Sequence, residues 1–143
     1  MATSDQYEIS TDHSRLDIAV IHDFLRSSYW AQGISRAVVE RSIQHSLCFG
    51  AFFSGRQVGF ARVVTDYAAF AYVADVFVVP EHRGRGVAKM LMRAIVEHPE
   101  LQELRRLLLA TRDAHGLYAQ FGFQPLAHPE HFMTIHKPEV YLY

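Results

Sequence analysis

The sequence predicts a mixed α/β domain with a mostly antiparallel central sheet flanked by helices on both faces, on the strength of three observations. Between residues 47 and 79, three strand-like runs are separated only by short turns, the pattern of an antiparallel meander. Apolar residues at helical spacing precede this block, in residues 17–27 and again from Ser35, and follow it from Val87. With 143 residues, half of them hydrophobic, the chain suits one domain, 1–143, with a full core.

Residues 7–11 alternate weakly and form the first candidate strand. Leu16, Ala19, Val20, Asp23 and Phe24 recur at helical spacing, which predicts a helix over 17–27. Tyr29, Trp30 and Gly33 then interrupt the pattern. Ser35 is a good N-cap for a second helix carrying Val38, Val39, Ser42 and Ile43 on one face. Leu47–Phe53 reads as a strand, residues 54–57 as a hairpin turn and 58–65 as the returning strand. After a turn at 66–68, residues 70–79 form the long central strand. Val87, Met90, Leu91, Ala94 and Ile95 make the apolar stripe of a helix that Pro99 closes. Residues 107–110 predict a buried strand, Ala114, Leu117, Tyr118 and Phe121 a helical face, and Gly122 its stop. A further strand is expected from Phe123 and a last one over 133–136. Lys137 to the end packs either on the surface or across a homodimer, and the sequence leaves both open.

The organising stretch is VFVVPEHRGRGVAKMLM, residues 76–92: a strand, a basic glycine-rich turn, then a helix. Glycines let the backbone approach a ligand closely, and the free amides of a helix N-terminus favour a phosphate. A third glycine is missing where a dinucleotide fingerprint needs one, and no Gly-Lys-Ser or Gly-Lys-Thr of a nucleotide triphosphate loop occurs. Arg-x-x-Gly-x-Ala after a Val-x-Pro strand instead resembles the GNAT superfamily of acetyl-CoA-dependent N-acetyltransferases. The resemblance implies that Arg83, Gly84, Arg85, Gly86, Val87 and Ala88 grip the CoA pyrophosphate, and that backbone groups of Phe77, Val78 and Val79 hold the pantetheine arm.

A second signature, AHGLYAQFGF at 114–123, is similar to the late Tyr-x-x-Phe-Gly-Phe segment of the same superfamily. It implies that Tyr118 sits beside the CoA sulfur, where a phenol with an ordinary pKa of about 10 can protonate a departing thiolate. Many relatives carry Asn shortly before this helix to hold the pantetheine. Here the segment reads Thr111-Arg112-Asp113, so that contact is lost, moved to Thr111 or made through water. The family topology also implies that the 107–110 strand runs parallel to the central one.

Asp75 is the only charged residue between Phe70 and Val79, and a buried carboxylate is costly unless paired or protonated. Strict alternation places it on the face of Phe77 and Val79, opposite Ala74, Val76 and Val78. Two roles stay open: base or amine anchor, as the resemblance implies, or a structural carboxylate pairing with Arg62 or another neighbour. Tyr29 and Trp30 fall where the family's helix–loop–helix overhangs the acceptor, so they either touch substrate or cover the core.

A formal charge of -1 and a pI near 6.7 give no electrostatic case for a nucleic-acid partner. No apolar run approaches the roughly 20 residues of a membrane span. The single Cys48 suits a reducing cytoplasm, and the N-terminus shows no secretory pattern. Nine histidines lack the spacing of a known metal motif, so no metal is expected, with His128, Glu130 and His131 the one grouping of note. The expected activity is acetyl transfer from acetyl-CoA to a primary amine of a small molecule by direct attack. The alternatives are a non-catalytic acyl-CoA sensor or interaction module, and an enzyme that uses a longer acyl group.

Overall fold

The computed structural model describes residues 6–142. Five strands form one sheet in sequential order: β1 (Tyr7–Ser10), β2 (Leu47–Phe53), β3 (Arg56–Thr65), β4 (Phe70–Val78) and β5 (Arg106–Leu109). β1 to β4 pair antiparallel, whereas β5 lies parallel to β4. The turns follow from local chemistry. Ser54 (φ 51°) and Gly55 (φ 78°) both adopt left-handed backbone, which suits a two-residue hairpin between Phe53 and Arg56. Parallel strands need a crossover, and α3 (Val87–Val96) lies within it.

Helices cover both faces of the sheet. α1 (Ile18–Leu25) is capped by the Asp17 carboxylate, which accepts from the Val20 amide, and α2 (Arg36–Gln44) by the Ser35 hydroxyl, which accepts from Val38. Their buried residues Ile21, Leu25, Val39 and Ile43 pack with Cys48, Phe60 and Phe77 on one side of the sheet. On the other side Val87, Leu91, Met92 and Ile95 of α3 pack with Phe49, Ala51, Val63 and Val73. Gly59 makes the second contact close: a Cβ there would stand 3.1 Å from the Phe77 carbonyl oxygen and 3.4 Å from Leu91 Cδ1. α4 (His115–Ala119) adds the half-buried Tyr118 to the α3-side core.

β4 departs from simple alternation. Phe60 pairs with Phe77 and Arg62 with Ala74, so Asp75 and Val76 together face the single residue Ala61. Asp75 sits at φ 55°, the left-handed first position of a bulge. Ala71 and Val73 below the bulge pack on the α3 side, and Phe77 above it packs on the α1/α2 side. The expected set is therefore corrected at Ala74, which lies opposite Arg62 and shares its face with Asp75, because the extra residue resets the period.

Three further expectations change. β4 ends at Val78, since the Val79 amide closes onto the Val58 carbonyl before the chain turns at Pro80. β5 is half-buried, not buried, because it is the last strand of the sheet and has no partner on its outer edge among the described residues. No strand forms at Phe123 or over 133–136 among the described residues. Met133 and Ile135 instead stand 98% and 92% exposed. No helix among the described residues is long and apolar enough to cross a membrane.

Cys48 is fully buried in the α1/α2-side core, and burial pushes its thiol up to about 12. An unfolded thiol titrates near 8.5, so between that value and 12 the unfolded state holds fewer protons and stability falls as pH rises. At pH 8 a thiol reagent should label Cys48 only at the rate of unfolding, and mild urea should accelerate it. Rapid stoichiometric labelling of the native protein would contradict this packing.

Candidate active site

The β4–β5 ladder stops at the pair Val73 and Leu109, while β4 continues to Val78. Beyond Val73 the β5 side of β4 is therefore left without a strand, which opens a notch in the sheet. The Val79 amide donates to Val58 on β3, so alternation turns the Val78 amide the other way, toward the notch. The Val78 carbonyl accepts from Arg83 Nε at 3.0 Å, tying the glycine turn to the strand end. Of the three residues expected to offer backbone groups, Val79 has its amide committed, and the amide of Val78 is the one facing the notch.

The turn above the notch reads as an anion cradle. Gly84 (φ 76°) and Gly86 (φ 80°) are both left-handed, and a Cβ at either would meet nothing within 4 Å. Glycine is thus required there by backbone conformation, not by crowding. Gly86 caps α3 without a side-chain hydrogen bond, so the first amides of that helix, including Val87 and Ala88, point out unsatisfied by any cap. Arg83 and Arg85 are exposed beside them. Donors, dipole and charge all suit a diphosphate.

Beneath the turn, Asp75 is held from two sides. Arg62 Nε donates to Oδ2 at 2.7 Å and Trp30 Nε1 donates to Oδ1 at 2.9 Å. Arg62 also reaches Ser46 Oγ at 3.2 Å. With side chains 19% and 10% exposed, the Arg62–Asp75 pair is well shielded from water. Both carboxylate oxygens are occupied, so of the two roles left open by the sequence the geometry favours the structural carboxylate paired with Arg62. The anchored Trp30 contacts the Tyr29 ring edge-on at 5.1 Å, and Phe24 stacks on Phe77 at 4.1 Å. Arg112 lies over the Tyr29 ring, 3.8 Å from its centroid, binding the α1–α2 loop to the segment after β5.

Tyr118 stands half-buried on α4 with its ring edge against Phe123 at 6.0 Å. Burial, then nearby Tyr29 and Asp113, push its phenol above the ordinary 10.0. Contacts thus join Asp75, Trp30 and Tyr29, and Tyr118 lies near enough to Tyr29 to feel its charge. Thr111 has a task in the fold as well: its Oγ1 accepts from the Ala114 amide at 3.1 Å and starts α4 in place of a cap on the helix itself. Sequence reasoning did not find Arg112 and Phe24, and no local motif marks either. His128, Glu130 and His131 bring their ligand atoms within 4.8 Å of one another, all exposed on the C-terminal arm.

The sequence model of the GNAT acetyltransferase family matches residues 18–123, from α1 through the second signature. The chain belongs to that family. It is a GNAT-type acyltransferase, and the family uses acetyl-CoA. A solved structure from Xanthomonas campestris pv. campestris, assigned to GNAT acetyltransferases, is 57% identical with a TM-score of 0.93, covering 94% of this chain and 96% of its own. A Gibberella zeae protein assigned as an acetyltransferase is 28% identical, covering 82% of this chain and 78% of its own. A Clostridium acetobutylicum protein solved with acetyl-CoA shares the fold at TM-score 0.65 and 14% identity, covering 91% of this chain and 94% of its own.

Removing the Asp75 carboxylate would leave the shielded Arg62 guanidinium without its ion partner. Asp75→Ala should lower the free energy of unfolding by about 3 kcal/mol in a urea titration. Asp75→Asn, which still accepts from Trp30, should lose about half as much. Equal and negligible losses would show that the network carries no stability.

Proposed function

We propose that this protein transfers the acetyl group of acetyl-CoA to a primary amine of a small molecule, by direct attack of the amine. One observation carries the reading: β4 outruns β5, with Asp75 and the glycine turn on the β4 side of the notch and Tyr118 on the helix that follows β5.

Acetyl-CoA, when bound, supplies the activated acetyl group. Amides at Gly84, Gly86, Val87 and Ala88, with Arg85 beside them, would hold its diphosphate. The Val78 N–H, turned into the notch, would bond either the extended arm, as an added strand does, or the oxyanion that develops on the thioester. Tyr118 Oη, kept protonated by its raised pKa, would donate to the departing sulfur. The acceptor arrives as the neutral amine, and its proton leaves to water. Asp75, its two oxygens engaged, would act by holding Trp30 and Arg62 in place, and would receive that proton only through water. Tyr29 and Trp30, 52% and 41% exposed, would form the acceptor wall, which suits an amine with an apolar or aromatic body.

Thiol release from acetyl-CoA, measured against a panel of amines with calorimetric CoA binding alongside, tests the reading. Release with one acceptor class is expected, and CoA binding without release to any amine would overturn it in favour of a sensor. Tyr118→Phe should lower kcat by about 100-fold or more while leaving CoA affinity unchanged. In the wild type, kcat/KM should rise with pH as the amine loses its proton. Any decline due to Tyr118 should lie above pH 10.0, since its pKa is raised from that value, and should vanish in Tyr118→Phe. Undiminished turnover in the variant would remove Tyr118 from the mechanism.

A further inference from the structure

The glycine turn stands clear of the rest of the protein between two fixed ends. Gly84, Arg85 and Gly86 are exposed, and a Cβ at either glycine would meet nothing within 4 Å. Past the turn, Val87 is buried at the start of α3. Ahead of it the chain makes a single helical turn over Pro80–His82, closed by the His82 amide on the Val79 carbonyl. His82 comes immediately before Arg83, and its ring packs against aromatics of two strands. It meets Tyr7 of β1 edge-on at 5.7 Å and Phe53 of β2 at 5.1 Å, and those two rings lie 5.1 Å apart.

One hydrogen bond orients the ring within this cluster. Tyr7 Oη lies 2.8 Å from His82 Nδ1, the only side-chain hydrogen bond of either residue among the described residues. Tyr7 is 8% exposed, so its O–H has no ready alternative in water, and a buried donor left unpaired is costly. Donation to Nδ1 satisfies it, and a neutral imidazole that accepts at Nδ1 carries its proton at Nε2. In the charged ring both nitrogens bear protons and the phenol oxygen accepts. Either way Nε2–H is a donor. It lies on the other side of the ring from Tyr7, without a partner among the described residues.

We propose that His82, oriented by Tyr7, is a further phosphate ligand, its Nε2–H donating to the CoA diphosphate on the glycine turn. The inference rests on the diphosphate lying on that turn, and it adds a side-chain donor from outside the Arg83–Ala88 segment. A bond from an imidazole N–H to a phosphate oxygen is charge-assisted, stronger than one between neutral groups. Arg83 turns its Nε inward to the Val78 carbonyl, so part of its guanidinium is committed to the strand, and His82 brings a donor to the same end of the turn. Tyr7 touches no ligand in this arrangement. It is a positioning residue that reaches the phosphate only through the imidazole, and it links the edge strand β1 to the anion cradle.

Calorimetric titration with CoA and with pantetheine, which lacks the diphosphate, tests this without any acceptor amine. The wild type should bind CoA far more tightly than pantetheine. Equal affinities would show that the turn holds no diphosphate, and would overturn that placement together with the role of His82. His82→Ala should weaken CoA binding about 10-fold or more and leave pantetheine binding unchanged. His82→Gln, which returns a side-chain N–H donor, should recover most of the loss. Tyr7→Phe keeps the ring and should weaken CoA about 5-fold, yet add nothing in the His82→Ala background. Each variant should keep the circular dichroism of the wild type. A protein that still prefers CoA to pantetheine but ignores His82→Ala would overturn the role of His82 alone. Equal losses for CoA and pantetheine would mark a structural defect and overturn it as well.

Discussion

The bulge at Asp75 is the constraint on which the rest of this molecule depends. A left-handed non-glycine residue in the middle of a strand costs about 1–2 kcal/mol. Asp is among the residues that tolerate the conformation. What holds it there is the pair of charge-assisted bonds from Arg62 and Trp30. The extra residue sends Phe77 into the α1/α2 layer and Val78 into the α3 layer. It also falls where the β4–β5 pairing has just stopped, at Val73 and Leu109. One carboxylate therefore supports the upper half of β4, the position of the α1–α2 loop through Trp30, and the opening of the notch.

The glycine turn depends on this arrangement from above. α3 is anchored by Val87, Leu91, Met92 and Ile95 in the core, so its N-terminus has a fixed place relative to the strand below. Arg83 adds a second tie by donating to Val78. Amides fixed before a ligand arrives need no reorganisation to meet its charge, which is the physical value of putting the turn on a buried helix. The two positive φ angles then explain the glycine spacing without any crowding of Cβ positions.

Much of this was legible in the sequence, for reasons that can be named. Ser35 and the aspartate at 17 cap the helices as their residue types suggest, and the meander appears where turn residues interrupt apolar runs. The glycine turn was legible because its conformation demands particular residues. The bulge was not, since Asp75 carries no local mark beyond being charged within an apolar run. The odd residue could be singled out, but its face relative to Ala74 could not. Thr111 carries a bond that no motif announces, its acceptance from the Ala114 amide, which is set by the path of the chain after β5. The late strands failed for a different reason. Residues 133–136 have the composition of a strand, yet a strand exists only with a partner, and composition does not supply one.

That last point bears on the chemistry as well as the fold. α4 has five residues and no cap on its own N-terminal position, far below the length at which a helix is stable by itself. Its geometry is held by the Thr111 cap and by packing of Tyr118, Phe121 and Phe123 on the α3-side core. Those same aromatics border an open groove along β5. The Tyr118 phenol is thus carried on an element that packs on the core from one side and faces the groove on the other, so its position rests on the Thr111 cap and on the packing of Phe121 and Phe123.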